Sequence, residues 1–273
     1  MADIKKIKLG DTTYDIRDAD AARIADAKIA SSSTTTVAVG GIAKGTSLKD
    51  KSVAEVIESI FFPYVAFSFD SISTTSSAGT KEYGTSVTIS KVKPTFTAGS
   101  KAINSVKIGT TSGGSDLYSG TSATSGTNIT LKTNKVFNGT NGGTIYCTLS
   151  DGETTSEKTA AVSYSYYPYA IASTSKSLTS VTSGATKASS TTLSTAITLS
   201  PTVDSYIWFL LPPGTTGSKT IQYEALGQWY DFDGGTAAPV DVSLKLNSGA
   251  TATYKGYRTN KMAAAGETKF KIV

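Results

Sequence analysis

The sequence predicts a mainly β protein: an N-terminal segment with one short helix, then two β-sandwich domains. Three observations carry this. Of 273 residues, 37 are Ser, 43 are Thr and 25 are Gly, whereas only 17% are charged, a composition that suits strands and turns and is short of the charged helix formers. From Tyr64 onward the apolar residues recur with a period of two. Asn-Gly and Asp-Gly dipeptides, which tolerate positive φ and close hairpins, separate the apolar runs.

Residues 1–63 read differently from the rest. Ile4, Ile7, Leu9 and Ile16 flank the turn signal Gly10-Asp11, and residues 19–30 form an alanine-rich, mixed-charge stretch with helical propensity. The hydroxyl run at 31–36 has nothing to bury and reads as a linker. A helix is predicted over 53–62. Ser52 and Glu55 fit a capping box, Val53, Val56, Ile57, Ile60 and Phe61 fall on one stripe, and Pro63 stops the pattern. So short a helix is marginal alone in water, while each buried side chain of that kind contributes roughly 1.5–3 kcal/mol. The stripe is therefore expected to pack on a neighbouring domain or subunit.

Over 64–169 the alternating sets are Val65, Phe67 and Phe69; Val87 and Ile89; Ile129 and Leu131; Ile145, Cys147 and Leu149; and Val162, Tyr164 and Tyr166. Asn138-Gly139, Asn141-Gly142 and Asp151-Gly152 supply turns, the last joining two strong strands. About seven short strands in this span predict an immunoglobulin-like or fibronectin-like sandwich held by its apolar interior alone. Pro168 and Ala170 mark the next boundary. Over 170–273, strand-like runs at 193–199, 205–211, 220–226, 240–246, 251–258 and 269–273 predict a second sandwich, jelly-roll-like.

The chemistry the chain lacks is as informative. It has no histidine and a single cysteine, Cys147, so Ser-His-Asp and Cys-His catalysis, histidine-bound zinc and an intrachain disulfide are excluded by counting. A non-catalytic role with no cofactor and no metal is predicted. The formal charge is +5, but beyond residue 63 the basic residues are scattered lysines with Arg258 the sole arginine, which does not resemble the clustered arginine of nucleic-acid binders. The longest apolar run, from Tyr206 to Leu211, is far too short to cross a membrane and is stopped by Pro212-Pro213. No apolar signal region follows Met1.

Four motifs invite chemistry. The segment Gly214-Thr-Thr-Gly-Ser-Lys219 has a phosphate-loop look but the wrong spacing and no following helix, so it reads as a turn. Ser90/Lys93 and Ser173/Lys176 fit Ser-x-x-Lys, yet residues three apart in a strand face opposite ways. Trp229, Tyr230, Asp231 and Asp233 form the most site-like patch, because aromatic faces beside carboxylates suit sugar recognition; the competing reading is a hairpin with Trp229 in the core and a turn at Asp233-Gly234-Gly235. Tyr164, Tyr166, Tyr167 and Tyr169 are expected to pack between the two β domains.

The segment from Ile7 to Asp18, Val39-Gly-Gly-Ile-Ala-Lys-Gly-Thr46, Phe61-Phe62-Pro63-Tyr64 and Glu82-Tyr83-Gly84-Thr85 resemble the N-terminal parts of virion structural proteins of tailed bacteriophages, in particular gut phages of the crAss-like and related groups. The resemblance covers about the first 90 residues in motif detail. It implies a head or tail fibre, or a capsid-decorating protein, anchored to other virion proteins by residues 1–63 and projecting its β domains outward, commonly as a trimer. The chain would be made in the host bacterial cytoplasm and end in the virion. The alternative expectation is an adhesin that binds host cell-surface polysaccharide through the Trp229 patch. Neither reading calls for nucleic acid or membrane insertion.

Overall fold

The structure, a computed structural model, describes residues 6–9, 12–15, 27–29, 34–232, 238–262 and 264–273. The protein is mainly β with one short helix among the described residues. It divides into two compact units: Met1–Ser68, Phe96–Ile103 and Asp151–Thr154 form the first, and the remaining segments the second.

In the first unit, β1 (Lys6–Leu9) and β2 (Thr12–Asp15) pair antiparallel, Leu9 opposite Thr12. The predicted turn at Gly10-Asp11 between them lies outside the described residues, as does the helical stretch 19–30 apart from residues 27–29. Those three are extended rather than helical. Lys28 bridges Ser52, and the Ile29 and Val53 amides donate to Lys51 and Ala27, so pairing with the chain before the helix overrides alanine's helical preference. The predicted linker is also paired at its described end. Thr34 bridges Ser47, and the Thr35 hydroxyl donates to the Ala43 carbonyl at 2.6 Å.

Helix α1 (Val53–Phe61) starts as its sequence requires: the Ser52 hydroxyl accepts from the Glu55 amide at 3.1 Å, and the Glu55 carboxylate accepts from the Ser52 amide at 2.6 Å. Phe62 caps its other end, its amide donating to Glu58. The turn at Gly40-Gly41 rests against the helix C-terminus, where Gly41 donates to the Ser59 carbonyl at 2.8 Å. Gly40 has φ +55, and a Cβ there would strike the Ile60 backbone.

The second unit begins with β3 (Ser68–Thr74), β4 (Gly79–Glu82), β5 (Val87–Thr97), β6 (Ser105–Gly109), β7 (Tyr118–Gly120), β8 (Ile129–Phe137), β9 (Gly143–Ser150) and β10 (Thr155–Ser165), apart from Ser68 of β3 and the last two residues of β5, which fall in the first. They form a three-stranded sheet in the order β3-β5-β8 and a five-stranded one in the order β4-β10-β9-β6-β7, with β4 parallel to β10. Alternation along β5 and β9 buries Val87, Ile89 and Val92, and Ile145, Cys147 and Leu149, as the period of two predicts. The Asp151-Gly152 turn joins β9 to β10 in antiparallel register, Ser150 opposite Thr155.

The later strands are β11 (Tyr169–Ser173), β12 (Ser180–Val181), β13 (Thr186–Lys187), β14 (Ile197–Leu199), β15 (Tyr206–Leu211), β16 (Ile221–Ala225), β17 (Gln228–Asp231), β18 (Val240–Lys245), β19 (Thr251–Lys261) and β20 (Thr268–Ile272). Their sheets run β12-β18-β19-β15-β11-β13 and β14-β20-β16-β17, and every sheet draws its strands from one side of Tyr169. Ile207, Phe209 and Leu211 of β15 meet Ile197, Ile221, Phe270 and Ile272 in one core cluster. Tyr206, Trp208 and Leu210 join Tyr169, Val242, Leu244 and Tyr254 in a second. Thus all six residues of β15 are buried, which is why this run lacks alternation in the sequence.

Tyr83, Tyr166 and Tyr167, from the earlier strand series, pack against that second cluster. The Tyr83 and Tyr166 rings stack at 4.5 Å, and Tyr166 and Tyr169 each meet Tyr254 edge to face at 6.0 Å. At the same junction Glu82 is buried. Its carboxylate accepts from the Tyr169 hydroxyl at 2.5 Å and from the Ser248 amide at 2.9 Å, with Lys187 Nζ at 3.9 Å. Tyr169 in turn accepts from the Asn247 amide at 3.0 Å, and Ser248 donates to the Tyr83 carbonyl at 2.7 Å. Gly84, at φ +86, brings this turn close: a Cβ there would run into Ala250 and lie 2.8 Å from Ser248 Oγ.

Removing the Tyr169 hydroxyl leaves a buried carboxylate short of a donor, so Tyr169→Phe should lower unfolding stability by about 1–3 kcal/mol in urea. Tyr164→Phe, which removes one bond to the Phe137 carbonyl at a half-buried position, serves as the control and should cost less. Equal losses would show that the Glu82 cluster contributes nothing special.

Candidate functional site

Strand β17 carries the patch that the sequence singles out, and alternation divides it. In the antiparallel pair, Trp229 lies opposite Glu224, Tyr230 opposite Tyr223, and Asp231 opposite Gln222. Tyr230 turns toward the face where Tyr223 joins the core cluster, its ring 5.8 Å from Tyr223. Trp229 and Asp231 occupy the other face, beside Lys271, which pairs with Gln222 in the next strand. There each has an intramolecular partner. Lys271 Nζ sits 4.3 Å over the half-buried Trp229 ring, and the Gln222 amide donates to Asp231 at 2.7 Å. Glu224 on the same face accepts from Lys269 at 2.9 Å. The strand therefore brings together Trp229 and Asp231 but not Tyr230, and one face of the tryptophan is already covered by an ammonium group. Asp233 lies outside the described residues. The turn that joins β16 to β17 is at Leu226-Gly227, both with positive φ, and the turn the sequence suggests at Asp233-Gly234-Gly235 lies outside the described residues.

The remaining motifs resolve into structure. Residues 212–220 form a loop between β15 and β16, with Gly214 and Gly217 at positive φ and the Gly217 carbonyl accepting from Tyr257 at 2.9 Å. Among the described residues no three His, Cys, Asp or Glu side chains cluster as metal ligands. The Ser90 hydroxyl pairs with Thr75 at 3.2 Å and Ser173 accepts from the Ser175 amide, so each is engaged by a group other than its lysine. The Cys147 thiol is wholly buried, and burial pushes its pKa up to about 12. It should resist maleimide at pH 8 in the native state and react at once in denaturant; ready native labelling, read by mass spectrometry, would contradict this burial.

The first unit presents a different kind of surface. None of the residues of α1 is buried. Phe61 is 72% exposed and Phe62 77%, with Ile57, Val65, Val37 and Val39 also exposed. Sequence periodicity identifies the helical part of this surface; Phe62, Val37 and Val39 sit outside the helix, where no period marks them, and Val65, which the alternation groups with the buried Phe67 and Phe69, is exposed. The same unit has a firm end. The Tyr64 hydroxyl donates to Asp151 at 2.7 Å and lies 2.8 Å from Thr154 Oγ1, while the other Asp151 oxygen accepts from the Glu153 and Thr154 amides at 3.0 and 2.8 Å. Burial alone would raise the Asp151 pKa, but these donors outweigh it and hold the carboxyl below its usual range. A lowered folded pKa means stability present above the ordinary carboxylate range and lost as pH falls through the folded value. Asp151→Asn should therefore flatten the fall in urea midpoint between mildly acidic and strongly acidic solution; an unchanged slope would remove Asp151 from that dependence.

No family model matches the chain, and no curated protein matches it. Among solved structures it is similar to the crystal structure of the N-terminal eight Ig domains of Down syndrome cell adhesion molecule isoform 1.30.30, at 8% identity over 76% of this chain, with a TM-score of 0.20. The match spans 26% of that chain. At this score the superposition carries no argument, and the fold class rests on the sheets themselves.

Proposed function

We propose that the chain is a structural component of a tailed-bacteriophage particle, a fibre or capsid-decorating protein that docks through residues 1–63 and projects its β strands outward, assembling as a trimer. The observation that carries this reading is the uncovered apolar surface of the first unit, where a correctly capped helix leaves Ile57, Phe61 and Phe62 in solvent. Contiguous exposed apolar surface marks a contact with another macromolecule. The resemblance of Val39 to Thr46 and of Phe61 to Tyr64 to virion proteins names the kind of partner. The β strands support a presenting role rather than a catalytic one, since the chain holds no histidine and its one thiol is buried.

The double variant Phe61→Ser/Phe62→Ser should fold, because neither ring is buried, yet enter particles at a small fraction of the wild-type level when a tagged copy competes with the native chain during phage growth. Circular dichroism checks the fold. Undiminished incorporation of a folded variant would sink the docking role, and a monomer mass by light scattering would sink the trimer.

A further inference from the structure

We infer a second site, on the opposite face of the later strands from the Trp229 patch: a cavity of about 290 Å³ that takes one acidic sugar residue, with a uronic acid as the ligand class. The cavity exists because of a glycine. Gly256 stands opposite Val240 in β18 and Leu210 in β15, and a Cβ there would sit 2.7 Å from Val242 Cγ2 and 3.3 Å from the Trp208 ring. Its absence leaves open a floor made by Trp208, with Leu178 as a wall. The wall is fixed in place, because the Trp208 indole N–H donates to the Ser175 carbonyl at 3.1 Å and Ser175 bonds its hydroxyl to the Ser177 carbonyl.

The charge lining this space has one sign in excess. Arg258 lies directly opposite Trp208 in the β15–β19 register, its guanidinium 5.0 Å from the Tyr206 ring centre and 5.9 Å from that of Trp208. Both rings lie within cation–π reach of it, and neither Arg258 nor Lys176 at the rim makes an ion pair among the described residues. The one carboxylate of the lining, Asp241, is taken by Lys255 at 2.5 Å. A preorganised guanidinium with free N–H groups is suited to a planar carboxylate. The apolar floor suits the C–H face of a pyranose, the hydroxyls of Ser177 and Thr179 at the rim suit its ring hydroxyls, and the volume matches a single sugar ring better than an extended chain. The inference stands apart from how residues 1–63 dock, so its failure would leave that proposal untouched.

The chain has two tryptophans, hence two indole N–H resonances, and Trp229→Phe assigns them. Titrating the full chain with glucuronate should shift the Trp208 indole resonance saturably in both wild type and Trp229→Phe. Glucose, cyclohexanecarboxylate and inorganic phosphate should each bind at least about tenfold more weakly, and Arg258→Gln should weaken glucuronate by roughly tenfold or more, the size of one lost charge-assisted bond. Lys176→Gln, on an exposed loop that cannot unfold the sheet, should weaken it several-fold and keeps the test valid if Arg258→Gln fails to fold. No glucuronate shift, binding unaffected by both variants, or equal binding of phosphate would overturn the site. Equal binding of cyclohexanecarboxylate would overturn the sugar.

Discussion

A carboxylate removed from water must be given partners, and at Glu82 two hydrogen-bond donors and one cation come from separate parts of the chain. Left alone, such a group would cost several kcal/mol. Here the Tyr169 hydroxyl, the Ser248 amide and the Lys187 ammonium converge on it. The hydroxyl is itself fixed by the Asn247 amide, so one charge sets the position of β4, the start of β11 and the turn between β18 and β19 together. Burial and the adjacent carboxylate both push the Tyr169 pKa upward, which keeps the proton on the phenol and the donor in place. The two strand series thus meet through an arrangement with one geometry, since shifting either side leaves a polar group without its partner.

The aromatic packing follows from that constraint. Once Tyr169 is held, Tyr254 lies edge-on to it and donates to the Tyr167 carbonyl, and Tyr166 meets Tyr254 edge to face while stacking on Tyr83. These rings cover the second face of β15, whose first face is already buried in the core between the two sheets. A strand covered on both faces is the rigid centre of the unit. The Trp208 ring, anchored in that strand and hydrogen-bonded through its indole nitrogen, is consequently a fixed surface, which is what a small recognition cavity requires.

Local rules made part of this legible before any coordinates. The capping box at Ser52 and Glu55 is a contact between near neighbours, so four residues suffice to read it. Alternation along β5, β9 and β18 is likewise local, and the turn at Asp151-Gly152 announces itself by a dipeptide. The two-residue strands β12 and β13 left no trace, because they are strands only by pairing with Val240–Lys245 and Tyr169–Ser173. Glu82-Tyr83-Gly84 could be noticed as a motif of resemblance but not understood. The burial of the glutamate depends on Ser248, 166 positions away, and the need for glycine on Ala250. The Trp229 patch shows the reverse case: composition drew attention to four residues close in sequence, whereas the strand separates Tyr230 from Trp229 and supplies Lys271 from β20 as a partner that composition does not reveal.

The contrast between the units is a contrast in where apolar side chains go. In the later strands most large apolar residues are buried, Tyr230 and Val240 being exposed exceptions. Between residues 34 and 66 Ile42 is the one buried hydrophobic residue, although valine, isoleucine and phenylalanine are frequent there. The local backbone is nonetheless well bonded, through the Ser52 cap, the Gly41–Ser59 contact and the Thr35–Thr46 pairing. Disorder would leave such hydrogen bonds unmade, and a self-sufficient domain would bury its phenylalanines. Phe61 and Phe62 therefore add nothing to the stability of this segment by burial, and its order rests on the capped helix and the paired backbone instead.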